Sequence, residues 1–236
     1  HYLPFNALHD GREYVIDRYR LRQLPSASVM PYLRGTRQAK TGTLLAFGNP
    51  DLGDKRYDLA YAQAEAQAIT KVVPGARALV RRDATETAFK QQGVNYAYVH
   101  FASHGEFNAD SPLNSALLLA KDNTNDGALT VGELYSMRLN ADLVTLSACE
   151  TGLGKIANGD DVVGLTRGFL YAGSRSIVAS LWKVDDEATA YLMTRFYGAL
   201  KGTSKREALR LAQIETRKKY VHPYYWAAFQ LTGEAS

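Results

Sequence analysis

Apolar runs too short for buried helices alternate along this chain with segments of helical period, and that alternation restricts its fold more than any other feature. Thr43–Gly48, Tyr96–Ala102, Ala141–Leu146 and Ser176–Trp182 each read as a strand apolar on both faces. Between them lie amphipathic stretches. Asp58–Val72 carries Leu59, Ala62, Ala66 and Ile69 at helical spacing and ends at Pro74-Gly75. Strands buried on both faces and alternating with helices predict a mainly parallel sheet covered on both sides, an α/β fold of α/β/α layers. At 236 residues the chain suits one domain, residues 1–236. Residues 1–40, punctuated by Pro4, Pro25 and Pro31, read as an irregular N-terminal arm packed on that domain.

The remaining elements follow from local signals. Ala78–Val80 is a short strand, and Asp83 with Glu86 three residues on reads as a capping pair opening a helix. Ser115–Ala120 reads as extended, and Thr130-Val131-Gly132-Glu133 is a capping box. A glycine-rich loop spans Gly152–Gly159. Helices are expected over 161–171 and 187–200, with a last one capped at Ser204. Trp226–Leu231 reads as a closing strand. Gly42, Gly48 and Gly53 fit neither a P-loop nor a dinucleotide fingerprint and read as turns. Tyr224-Tyr225-Trp226 reads as core and sheet edge, with lining of a substrate groove as the lesser alternative.

Charge and cysteine usage narrow the classes. A formal charge of +4 without a dense basic run argues against a nucleic-acid partner. No apolar stretch of ~18 residues is present, so no transmembrane helix is expected, and no signal peptide is recognised. The only cysteine, Cys149, cannot form an internal disulfide. That points to a reducing, cytoplasmic setting and excludes a cysteine-based zinc site. The chain opens His1-Tyr2-Leu3-Pro4 without an initiator methionine, which reads as a segment of a longer protein.

Cys149 follows one strand, in Ser147-Ala148-Cys149-Glu150-Thr151-Gly152, and His104 follows another, in Ser103-His104-Gly105. Ligands of open α/β sheets gather at the carboxyl ends of strands. A thiol and an imidazole at neighbouring ends supply a nucleophile and a base for acyl transfer. The N–H of Cys149 and one near Gly105 are candidate oxyanion donors. Taken alone, a lone cysteine is more often a small buried hydrophobe than a nucleophile.

The ordered string of Ser103-His104-Gly105, Asp110-Ser111-Pro112-Leu113-Asn114-Ser115-Ala116-Leu117, Ser147–Gly152, Gly164-Leu165-Thr166-Arg167-Gly168-Phe169 and Ser180–Ala188 resembles the CHAT family of caspase-like peptidases. Leu3–Leu8 and Leu24–Ala27 resemble it as well, so the likeness runs nearly end to end. It departs from the family pattern in lacking an apolar strand before Leu3-Pro4-Phe5. The resemblance implies a caspase-like three-layer fold and a dyad of His104 as general base and Cys149 as nucleophile. It also implies a bacterial protease of defence or signalling, controlled by a TPR or other sensor module outside the segment. No metal or organic cofactor is implied, and the partner is a protein or peptide substrate. The rival is a catalytically silent scaffold of the same fold. Asp185 and Asp186, after another strand, are candidate S1-pocket residues for a basic substrate side chain, Asp186 being preferred and the alternative a helix cap. Glu150 reads as structural, Asp160 and Asp161 as caps, and Lys155 as a solvated loop residue or a clipping site.

Overall fold

The computed structural model describes residues 3–26, 28, 31, 42–108, 110–139, 141–147, 149–150, 161–182 and 184–236. A six-stranded sheet forms its centre. Its strands are β1 (Gly42–Pro50), β2 (Arg77–Arg81), β3 (Tyr96–Ala102), β7 (Leu143–Leu146), β9 (Ser176–Ser180) and β10 (Phe229–Gly233), in the order β10-β9-β7-β3-β1-β2. All neighbours are parallel except β10, which runs antiparallel to β9.

Period-two alternation along these strands builds the two buried faces. Leu45, Phe47, Val99, Phe101, Val144, Leu146 and Ile177 join one apolar cluster, and Leu44, Ala46, Leu143 and Val178 the other. The first is covered by α3 (Glu86–Gln92), α4 (Val131–Ser136) and α5 (Asp161–Tyr171), through Phe89, Leu134 and Phe169. The second is covered by α2 (Ala60–Val72), α6 (Asp186–Ala199) and α7 (Lys205–Lys219), through Ile69, Phe196 and Ala212. The three layers and the mainly parallel sheet match the expected fold class.

Several boundaries differ from expectation for local reasons. Thr85, not Asp83, caps α3 by accepting from Ala88 N at 3.0 Å, and Glu86 is buried. The expected closing strand at Trp226 is instead a helical turn, α8 (Pro223–Trp226), opened by the His222 cap and Pro223, before β10 begins at Phe229. Gly42 and Gly48 lie inside β1 rather than in turns. Gly48 is required by close packing: a Cβ there would meet Ala66 Cβ at 2.5 Å and Ala62 O at 2.8 Å, both on α2. Gly53 does occupy a turn, at φ +80°. The capping box at Thr130 and the cap at Ser204 form as read.

The arm, α1 (Val15–Arg18) included, lies against β10 and α7. Gln23 bridges Thr232, and its N–H donates to Leu231 O at 2.7 Å. Arg210 donates to the carbonyls of Ile16 and Asp17.

A second, smaller sheet in the order β6-β5-β4-β8 sits beyond the carboxyl ends of β3 and β7. It comprises β4 (His104–Glu106), β5 (Ala116–Leu118), β6 (Ala128–Thr130) and β8 (Cys149–Glu150). β4 resumes after Ser103 where β3 stops. The parallel β3–β7 pairing is thus continued by a parallel β4–β8 pairing.

Candidate active site

His104 lies just past the end of β3, as expected, and opens β4. There its Cα partner in β8 is Cys149, and that of Gly105 is Glu150. Adjacent strands lie ~4.8 Å apart, so the register brings the backbones of the two residues side by side. The side chains of Cys149, Glu150 and Asp161, residue Asp160, and the whole of 151–160 with Lys155 lie outside the described residues.

The His104 imidazole is 7% exposed, and its Nε2 lies 2.7 Å from the carbonyl oxygen of Tyr57. A carbonyl only accepts, so Nε2 carries a proton. In the neutral ring the lone pair is then on Nδ1. Tyr57 also sets its ring edge-on to the imidazole, centroids 6.0 Å apart and planes 80° apart.

The segment presenting that carbonyl is held at both ends. Asn49, at φ 48° beyond a register shift in β1, accepts from Leu59 N through Oδ1 at 2.8 Å. Arg81 reaches Asp58 at 2.6 Å, and Arg82 reaches Asp51 at 3.2 Å. Asp54 caps the turn Lys55–Tyr57 by accepting from Arg56 N. Sequence reading missed Tyr57. A backbone carbonyl has no residue signature, and only the fold of 51–59 brings it to His104.

His100, the other histidine of β3, does different work. Fully buried, it lies with Nδ1 3.2 Å from Tyr197 Oη. Its Nε2 is 3.0 Å from Glu65 Oε1, an ion-pair distance without hydrogen-bond alignment. Tyr197 donates to Thr145 Oγ1 at 2.8 Å, and burial pushes its phenol far above the usual range. This buried network ties α2 and α6 to the sheet.

The two aspartates after β9 separate. Asp185 is the N-cap of α6, exposed, with its carboxylate accepting from Ala188 N at 3.0 Å. Asp186 is the first residue of that helix, which begins one position earlier than expected. Asp186 follows β9, next to the β7 strand that leads toward Cys149. Trp182 of the same loop donates its indole N–H to Tyr224 O at 3.0 Å. Trp226 is fully buried, whereas Tyr224 is exposed. Among the described residues no group of three or more His, Cys, Asp or Glu could hold a metal ion. No helix among them is long and apolar enough to cross a membrane.

Comparison with known proteins gives the chain its context. It resembles tetratricopeptide repeat protein 28 of Homo sapiens, 25% identical over 283 residues covering 98% of this chain and 11% of the relative. The Mus musculus protein of that name is likewise 25% identical, over 99% of this chain and 12% of its own length. The chain therefore spans about a tenth of these relatives. Among solved structures, Saccharomyces cerevisiae separase in its complex with securin aligns at TM-score 0.64 and 15% identity, over 100% of this chain and 15% of that one. The Arg specific cysteine proteinase gingipain R aligns at TM-score 0.54 and 11% identity, over 84% and 49%. These likenesses make the fold caspase-like. The CHAT domain family model matches residues 1–234, and the chain belongs to that family.

Proposed function

We propose that the chain is the catalytic domain of a cysteine endopeptidase that cleaves a protein substrate after a basic residue. The observation carrying this reading is the β4–β8 register, which makes His104 and Cys149 Cα partners while Tyr57 O takes the proton of His104 Nε2. Nδ1 of His104 removes the Cys149 thiol proton, and the thiolate attacks the scissile carbonyl carbon. The oxyanion is held by the N–H of Cys149 and an N–H near Gly105. Collapse to the Cys149 thioester expels the amine, protonated from Nδ1. Water, activated by the same nitrogen, then releases the acid.

Basic specificity rests on Asp186, with Asp185 committed to its helix. A carboxylate partly withdrawn from water binds Arg or Lys by charge-assisted hydrogen bonds. That gingipain R, one of the structural neighbours, is an Arg specific proteinase is in keeping with this. The names of the curated relatives favour control by a tetratricopeptide repeat module elsewhere in the protein. The bacterial defence role implied by the family resemblance belongs to the same proposal.

An acyloxymethyl ketone probe with arginine at P1 tests the reading. Labelling at Cys149 should fall about 100-fold or more in His104→Ala, vanish in Cys149→Ala, and exceed that of an aspartate-headed probe. A silent scaffold predicts slow labelling that is indifferent to His104→Ala, and that result would refute the enzyme.

A further inference from the structure

A cavity of about 220 Å³ is lined by Leu52, Tyr57, Leu118 and Ala128, and Leu118 is the Cα partner of His104 in the β4–β5 pairing. We propose that it is the subsite for an apolar side chain on the leaving-group side of the scissile bond. The inference rests on the peptidase reading of His104 and Cys149.

Position is the first argument. The chain leaves β1 for the edge strand β2 and returns to β3 on the other side of β1, so the sheet reverses winding between β1 and β3. Crevices for ligands open at the carboxyl ends of strands at such a point. Leu52 and Tyr57 follow β1, and His104 follows β3, at that reversal. Across the edge of the sheet the order is Asp186 after β9, Cys149 after β7, His104 after β3, and the cavity after β1. A substrate lying along this edge with its basic residue at Asp186 has its leaving amine at His104. The next strand over, ~4.8 Å away, is about one and a half residues of extended peptide at ~3.3 Å each. The first or second residue past the scissile bond therefore meets the cavity.

The cavity's chemistry agrees. It is smaller than the ~300–1,000 Å³ of a small-molecule pocket and suits a side chain. Its lining is mostly apolar, and the two charged residues that join it, exposed Lys121 and Asp126, are of opposite sign and present no net charge to an occupant. The back wall is preformed. Gly127 sits at φ +90°, where a Cβ would lie 2.4 Å from Leu119 O, and its N–H donates to the buried Glu86 carboxylate at 2.9 Å. Tyr57 is shared with the site, since its carbonyl holds His104 Nε2. A side chain packed on the Tyr57 ring limits the motion of that carbonyl, which makes Tyr57 a positioning residue.

Two quenched peptides, alike up to a P1 arginine and followed by Leu-Leu or Gly-Gly, test the subsite beside an arginyl coumarin amide that has no leaving-side side chain. Leu-Leu should exceed Gly-Gly by about tenfold or more in kcat/KM. In Ala128→Phe and in Leu52→Trp, both of which fill the cavity, the ratio of Leu-Leu peptide to coumarin amide should fall by a similar factor. Equal turnover of the two peptides, with the coumarin amide cleaved, overturns the subsite and leaves the peptidase standing. No cleavage of any substrate counts against the peptidase itself. The cavity has its own readout in methyl NMR with the tripeptide Leu-Leu-Ala amide. Shifts at Leu52 and Leu118 methyls that are lost in Ala128→Phe support the subsite, and unmoved methyls overturn it.

Discussion

Gly48→Ala is the sharpest test of how the centre of the molecule is packed. The added methyl would stand 2.5 Å from Ala66 Cβ and 2.8 Å from Ala62 O, and 3.3 Å from Gln63 Cα. Carbon atoms pack at about 3.5–4.0 Å, so α2 must retreat from β1 by about 1 Å, and no rotamer change relieves it because the opposing atoms are backbone and Cβ. A gap of that size forfeits a quarter to a half of each dispersion contact along the interface, which includes buried Ala62, Ala66 and Ile69. Overpacking of this kind costs about 1–3 kcal/mol, and the rigidity of the contact puts it at the upper end. Alanine's smaller unfolded-state entropy returns about 0.4–1 kcal/mol. The net loss is about 2 kcal/mol, or a Tm lower by about 4–8 °C for a domain of this size. Gly198→Ala is the internal control. Nothing lies within 4 Å of a Cβ there, in α6, so helix propensity alone should raise stability by up to about 1 kcal/mol. Differential scanning calorimetry of both variants decides. A Gly48→Ala melt within a degree of wild type would refute the packing argument.

The two aspartates after β9 should part company. Asp185→Ala removes the cap of α6 and should cost about 1 kcal/mol in urea unfolding. Asp186→Asn should reduce the preference for arginine over citrulline at P1, which Asp185→Ala should leave in place. At the C-terminus, burial raises the Glu234 carboxyl, but hydrogen bonds from Ser236 and Lys205 outweigh it and hold it at about 2. A depressed acid stabilises fully above its unfolded pKa, near 4.5, and the contribution is lost as pH falls through about 2. The side chain is 15% exposed, so after solvent screening Glu234→Gln should cost about 1–2 kcal/mol at pH 6. The difference from wild type should shrink as pH falls from about 4.5 and vanish only below about 2. A difference constant across that window would show that Glu234 does not titrate as described.

Legibility tracked the range of the interactions involved. β3, β7 and β9 were readable because a strand buried on both faces must be apolar throughout, and the Thr130 box because its partners are three residues apart. Trp226–Leu231 misled because an apolar run does not say whether it extends or turns. The turn was decided by His222 and Pro223, and by Trp226 sinking beneath the arm against Tyr14. Gly48 misled in the same way: its need for glycine comes from α2, which packs across it. Of the candidate site, His104 and Cys149 were readable as types at strand ends, and Asp185 was readable as a possible cap.

The sequence by itself determined the kind of molecule. Its apolar alternation required a parallel sheet between helices, and its ordered motifs resembled one family from end to end. Tertiary structure decided what meets what. That β3 lies beside β7, that His104 falls in register with Cys149, and that Tyr57 offers its carbonyl to the imidazole all depend on segments some 45 residues apart choosing one pairing. Periodicity is a local property of the chain. Register is set by the whole sheet closing on both of its cores at once.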